Sequence, residues 1–306
     1  MARPEPVIAA ARKSHRGGIF VEDAEVIRQS AHPGDQYILR VQAPKCAAAA
    51  LPGTFAHITC DPAVPMRRPL SIMRVSAQDG WVEFLYKIVG TGLRHLGTRR
   101  PGDRLSLMGP IGRPFEPHRD RPRALLIGGG VGIPPMIFLA EHLKDDSVAG
   151  WRPLLLMGSE IPFPFRARPS KILVPGLPDG VIAGMPLLDE WGVPSRLASQ
   201  ADFPGCHAGY VTDLAGLWLE SLDDAARQEV EIFACGPTPM LAASAALARR
   251  FRLPCQVSLE EFMACAVGGC AGCTVKVTTP DGVAMKRVCV DGPVFDAHKI
   301  FKAGAD

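Results

Sequence analysis

The sequence predicts a multidomain chain: an antiparallel β-barrel, a parallel-sheet α/β nucleotide domain, and a small C-terminal module. Three patterns carry that reading. Apolar residues alternate with period two in the first third, as in Val82, Phe84, Tyr86 and Ile88. Short unbroken apolar runs then alternate with helical patterns, starting with Ala124-Leu-Leu-Ile127 ahead of Met136, Leu139, Ala140 and Leu143. The stretch from Phe251 to Asp306 holds five of the nine cysteines, four of them at cluster spacing.

The bulk numbers agree. A chain of 306 residues exceeds one ordinary core, and 47% hydrophobic with 21% charged residues is the composition of folded protein. A net charge of +3 and the lack of a Lys/Arg block give no reason to expect nucleic acid or an anionic membrane surface. The long uncharged run Ala124–Ala140 contains Gly128, Gly129, Gly130, Gly132 and Pro134-Pro135 and is short of a membrane span, so a strand running into a helix is expected. The N-terminus shows no apolar segment with a cleavage site, and roughly the first twenty residues read as a loose tail. A cytoplasmic location follows, where thiols stay reduced and clustered cysteines suggest metal or redox chemistry.

Taken in order, residues 18–118 form the barrel. Tyr37, Leu39 and Val41 repeat the alternation of the later strand, and Pro33-Gly34, Pro52-Gly53 and Pro101-Gly102 mark turns. Residues 119–250 form the α/β domain: Leu154-Leu-Leu-Met157 and Glu231-Ile-Phe-Ala234 are further buried strands, and Met240–Arg249 is an Ala-rich helix. The proline-rich stretch Ile161–Gly205 shows no period and is expected to be a long, partly irregular insertion. Residues 251–306 are too few for a sizeable core, so a metal staple is expected.

Cys265, Cys270, Cys273 and Cys289 are spaced C-x4-C-x2-C, then fifteen residues, then C. Between the first three lie only small residues apart from Val267, which lets backbone amides approach sulfide and thiolate. This is the plant-type ligand spacing of a [2Fe–2S] cluster. Structural zinc favours paired short knuckles, whereas the fourth cysteine here stands alone. Cys46, Cys60, Cys206 and Cys255 read as small packed residues.

Gly128-Gly-Gly-Val-Gly132-Ile-Pro-Pro135 joins a strand to a helix. Gly129, Gly130 and Gly132 would admit a pyrophosphate to the helix N-terminus, although a tight strand–helix turn also uses glycine. Cys235-Gly236-Pro237 ends another strand at the sheet's carboxyl edge, where ligands of open α/β sheets bind. The eight histidines are scattered, with no pair at ligand or catalytic spacing.

Four motifs give a family resemblance. Arg67-Arg-Pro-Leu-Ser-Ile72, Tyr86-Lys-Ile-Val-Gly-Thr-Gly-Leu93, Gly109-Pro-Ile-Gly112 and Cys235-Gly-Pro-Thr-Pro-Met240 resemble the ferredoxin–NADP reductase superfamily. Glu260-Glu-Phe-Met-Ala-Cys265 through Cys273, Val288-Cys-Val-Asp-Gly-Pro-Val-Phe295 and Tyr210-Val-Thr-Asp213 resemble the electron-transfer subunit of NAD-linked dihydroorotate dehydrogenase. The resemblance implies an oxidoreductase of pyrimidine biosynthesis carrying FAD, a [2Fe–2S] cluster and NAD(H). Arg68 would face the FAD diphosphate and Ser71 the flavin, with Pro69, Leu70, Tyr86, Gly90, Thr91 and Gly92 completing that site. Gly129, Gly130, Gly132, Gly236 and Pro237 would hold the nicotinamide dinucleotide, with Cys235 beside the nicotinamide. Tyr86 reads equally well as an ordinary strand aromatic. The implied partner is an FMN-containing dehydrogenase subunit or another redox protein; a reductase component feeding an oxygenase or hydroxylase is the alternative. Asp291 is expected to accept a backbone hydrogen bond at the Gly292-Pro293 turn. Glu160, after the second α/β strand, would bond the ribose of NAD, whereas Ser159, Arg166, Arg168 and Lys171 would suit the phosphate of NADP.

Overall fold

Period-two alternation in the first third closes into a barrel in the computed structural model, which describes residues 18–146 and 150–302. The N-terminal tail through residue 17 lies outside the described residues. Six strands form the barrel: β1 Phe20–His32, β2 Gln36–Gln42, β3 Phe55–Ile58, β4 Arg68–Ser76, β5 Trp81–Lys87 and β6 Arg104–Ile111. Their order is β1-β2-β5-β4-β3-β6, closed and antiparallel throughout. Closure leaves no unpaired sheet edge.

The alternation is richer than the sequence shows. Residues Val82 to Tyr86 of β5 are all buried, and α1 (Pro44–Ala49) packs against β5 as well as β1, β4 and β6. Glu83 is only 4% exposed, and its carboxylate is paired with Arg40 at 3.1 Å. The Arg40 guanidinium in turn stacks on Trp81, 3.9 Å from the ring centroid. A second short helix, α2 (Thr91–Leu96), follows β5.

The α/β region builds a seven-stranded sheet. In chain order it runs β7 Arg123–Gly129, a 3-10 turn Gly130–Gly132, α3 Ile133–Asp145 and β8 Leu154–Gly158. A two-residue pair, β9 Arg168–Pro169 with β10 Ala183–Gly184, precedes α4 Pro186–Glu190 and β11 Ser195–Ser199. Then come β12 His207–Ala208, α5 Val211–Ser221, α6 Asp224–Gln228, β13 Val230–Cys235, α7 Thr238–Phe251 and β14 Cys255–Ser258. The sheet order β12-β11-β8-β7-β13-β14 ends on the short strand Val294–Asp296, with β12 to β13 parallel. The chain leaves β7 toward β8 and later returns on its other side as β13, so the strand order reverses beside β7. Ala124–Ala140 is thus a buried strand and a helix, and among the described residues no helix is long and apolar enough to cross a membrane.

The region from Ile161 to Gly205 is less irregular than its composition implies. Ser195–Ser199 is a fully buried strand of the main sheet. Its pattern is hidden by Arg196, which is 4% exposed yet donates to Val181 O at 2.8 Å, Ile172 O at 2.7 Å and Ser195 O at 2.7 Å. A buried guanidinium is tolerated when its donors are matched, so one residue both disguises the strand and ties the proline-rich excursion to it.

The described residues divide into two compact units. One comprises 115–257 and the final segment from Phe295; the other joins the barrel to Ser258–Val294. The cysteine-bearing segment shares a unit with the barrel. It consists of the cysteine loop, an antiparallel hairpin of β15 Thr274–Thr279 and β16 Gly282–Arg287, and the short α8 Val288–Asp291.

Candidate functional site

The barrel places Arg68 at the start of β4 and the Gly90–Gly92 loop at the start of α2. These two features meet. A Cβ on Gly92 would stand 2.9 Å from Arg68 Nε and 3.0 Å from its Cζ, so glycine is required for the guanidinium to lie there. The first turn of α2 has no side-chain cap, leaving N–H groups free beside that positive charge, and Gly90 borders open space. An arginine fork over uncapped amides is donor chemistry suited to a diphosphate, so these residues fit FAD. Ser71 and Pro69 alternate with Arg68 and the buried Leu70 along β4 and lie on the opposite face.

Tyr86 belongs to the barrel interior. It is 1% exposed, stacks on Tyr37 with centroids 5.5 Å apart, and donates its hydroxyl hydrogen bond to Gln29 at 2.9 Å. Its ring packs in the barrel core. Arg67, adjacent to Arg68, is also structural: it donates to Ser106 O at 2.7 Å and His57 O at 3.2 Å, joining three strands. Local pattern alone does not separate the two arginines; the motif resemblance picked Arg68.

In the α/β unit the glycine turn lies at the carboxyl end of β7, in register with the end of β13, where Cys235 pairs with Gly128. Gly132 sits against the other strand's exit: a Cβ there would be 2.2 Å from Cys235 O and 2.4 Å from Gly236 N. Gly129 makes room for Met240 Sδ, 2.5 Å from its would-be Cβ. Only Gly130, at φ +54°, faces open space. Cys235 is fully buried, whereas Pro237 is exposed. α3 begins at Gly132 without a side-chain cap, and Pro134 and Pro135 fill its first turn. An uncapped helix start beside an open glycine fits a dinucleotide pyrophosphate.

The four cysteines form two pairs. Cys273 and Cys289 bring their sulfurs to 3.3 Å. Cys265 Sγ accepts from Cys270 N–H at 3.4 Å, and Cys270 Sγ accepts from Gly272 N–H at 3.4 Å. Burial pushes the Cys265 thiol up, but hydrogen bonds from Cys270, Val267 and Gly269 outweigh it and bring the pKa down to about 6. Ala266 and Ala271 adopt φ near +55° and +54°, curling the loop so that its amides point inward. Among the described residues no three Cys, His, Asp or Glu side chains gather into one ion-sized group. Two sulfur pairs ringed by backbone N–H groups fit a dinuclear cluster, with two ligands for each iron.

The cluster segment is anchored to the barrel by contacts that sequence reading missed. Arg113, just past β6, donates its backbone N–H to Gly292 O at 2.5 Å, and a Cβ on Gly112 would be 2.3 Å from Pro293 Cδ. Asp291 accepts a backbone hydrogen bond as expected, but from Arg287 N–H at 2.8 Å.

A closed barrel with an arginine–glycine cradle, a parallel sheet with a glycine turn and a plant-type cysteine loop define an electron-transfer oxidoreductase of the ferredoxin-reductase class. Residues 260–301 match the family model "iron-sulfur cluster binding domain of dihydroorotate dehydrogenase B". The chain is 33% identical over 259 residues to the electron transfer subunit of dihydroorotate dehydrogenase B (NAD(+)) from Geobacillus kaustophilus, covering 81% of this chain and 86% of the relative. The corresponding subunit from Desulforamulus reducens is 29% identical over 92% of this chain and 98% of its own. Among solved structures, a chain of NADH-dependent reduced ferredoxin-NADP oxidoreductase superimposes with a TM-score of 0.71 at 26% identity, covering 91% of this chain and 90% of that one. A ferredoxin reductase of carbazole 1,9a-dioxygenase shares the fold, with a TM-score of 0.56 at 24% identity over 76% of this chain and 65% of that one. The protein belongs to the family of dihydroorotate dehydrogenase B electron transfer subunits, oxidoreductase components that work with a partner subunit.

Proposed function

We propose that this chain moves electrons between NAD(H) and an FMN-containing dehydrogenase subunit in the cytoplasm, using its own FAD and [2Fe–2S] cluster. FAD supplies the conversion between two-electron hydride transfer and the one-electron capacity of the cluster. Arg68 and the amides of Gly90, Thr91 and Gly92 hold the FAD diphosphate, and Ser71 lies on the flavin side. Gly130 and the uncapped start of α3 receive the dinucleotide pyrophosphate. Gly129, Gly132, Gly236 and Pro237 shape that crevice, and buried Cys235 fixes its floor beside the nicotinamide. Cys265 with Cys270, and Cys273 with Cys289, ligate the two irons.

The observation that carries this reading is the pairing of four sulfurs inside a loop of inward-pointing amides, in the same compact unit as the Arg68–Gly92 cradle. The test is anaerobic addition of NADH to the purified protein, with iron, sulfide and flavin assays. Both flavin bleaching and cluster reduction are expected. Cys289→Ser is expected to lose most iron while keeping FAD. Stoichiometric zinc without iron or sulfide would overturn the assignment. Co-purification with an oxygenase chain in place of an FMN protein would transfer the partner role to the alternative.

A further inference from the structure

Arg287 ends β16, two residues before Cys289, and its guanidinium reaches back to the other half of the cysteine loop. Its Nη1 donates to Gly268 O at 3.0 Å. The Gly268 carbonyl belongs to the same peptide plane as the Gly269 N–H, and that N–H is one of the donors acting on Cys265 Sγ. The chain of contacts is therefore guanidinium, carbonyl, amide N–H, cysteine sulfur. A charged donor on the carbonyl end polarises the peptide and strengthens the N–H bond at its far end.

The guanidinium is held in place from behind. Asp291 Oδ2 lies 3.6 Å from Arg287 Nε and accepts the Arg287 backbone N–H at 2.8 Å. Gly268 is pinned at φ +81°, with Val290 Cγ2 only 2.5 Å from where a Cβ would stand.

We propose that Arg287 is the positioning residue that sets the reduction potential of the cluster, acting through the Gly268–Gly269 peptide on Cys265. The proposal rests on the reading that the four cysteines hold a [2Fe–2S] cluster. One-electron reduction adds a negative charge to the cluster. A nearby cation and a strengthened N–H donor to sulfur both favour the reduced form.

The test is a redox titration of the full chain, following the cluster by electron paramagnetic resonance and FAD by visible absorption in the same sample. Arg287→Gln should favour the oxidised cluster roughly tenfold at a fixed potential, about 59 mV for a one-electron couple. The FAD couple should stay in place. Arg287→Lys, which keeps charge but loses the planar fork, should fall between. Lys286→Gln removes a neighbouring charge that makes no bond to Gly268 and should change nothing. An unshifted cluster in Arg287→Gln with normal iron content would overturn the proposal, as would an equal shift in Lys286→Gln. If neither Arg287 variant holds iron, the residue serves assembly and the proposed role is wrong. A wild-type chain without the [2Fe–2S] signal would instead sink the underlying ligand assignment.

Discussion

Two glycine-rich loops look alike in sequence and use their glycines in opposite ways. At three of the four glycines in the turn Gly128–Gly132, all but Gly130, the space left by the missing side chain is filled by the protein itself: Ile133 against Gly128, Met240 against Gly129, and the Cys235–Gly236 peptide against Gly132. In the loop Cys265–Cys273, Gly268 meets Val290, but Gly269 has no atom within 4 Å of a would-be Cβ, and the closest for Gly272 is Cys270 Sγ at 3.5 Å. The first set lets two strand exits touch; the second leaves amides free for sulfur. Glycine in a motif thus reports closeness, but only the fold says to what. The same lesson covers Gly92, whose partner is Arg68.

The comparison can be broken by alanine. Gly132→Ala forces a methyl group onto a backbone carbonyl 2.2 Å away. Backbone atoms cannot swing aside as side chains do, so a cost of about 3 kcal/mol, the upper end for overpacking, is expected. Thermal unfolding should begin earlier and NADH-driven flavin reduction should be lost. Gly269→Ala enters open space and should leave iron content near normal. Equal damage from the two substitutions would erase the distinction between the loops.

Arg68→Ala sharpens the same point at the third loop. It removes the guanidinium that Gly92 makes room for, a charge-assisted contact worth roughly 2 kcal/mol. FAD affinity should fall about thirtyfold, and flavin should be lost on dilution while the cluster remains. Unchanged retention, measured by equilibrium dialysis, would make Arg68 a surface charge.

What the sequence made legible follows from how local each signal is. Val82, Phe84 and Tyr86 show a strand because neighbouring residues alternate, and the cysteine spacing points to a cluster because the four cysteines lie in one loop and one short helix. The strand Ser195–Ser199 was illegible because its buried polar residues are satisfied by carbonyls far along the chain. The anchoring of Arg113 to Gly292 was illegible for the same reason: no periodicity links residues so distant in sequence. Arg67 and Arg68 were separable by motif but not by local pattern, because their roles depend on which groups each side chain reaches.

The smallest expected effect concerns the choice of nicotinamide. β8 ends at Gly158, paired with Gly129 of the glycine turn, so a dinucleotide on Gly130 would extend toward the residues that follow β8. Ser159 is nearly buried and its hydroxyl donates to Ile161 O at 2.7 Å, which turns the chain and leaves Glu160 exposed between them. A carboxylate there would accept from the ribose 2′-hydroxyl of NAD and repel a 2′-phosphate. Arg166, Arg168 and Lys171 are exposed farther along, Arg168 on the short β9–β10 pair. An exposed charged hydrogen bond is worth about 1 kcal/mol, or roughly fivefold. Steady-state reduction of an artificial acceptor should therefore prefer NADH, and Glu160→Gln should narrow that preference about fivefold by raising KM for NADH and lowering it for NADPH. A wild-type preference for NADPH that Arg166→Ala removes would show that the basic side chains, and not Glu160, read the ribose.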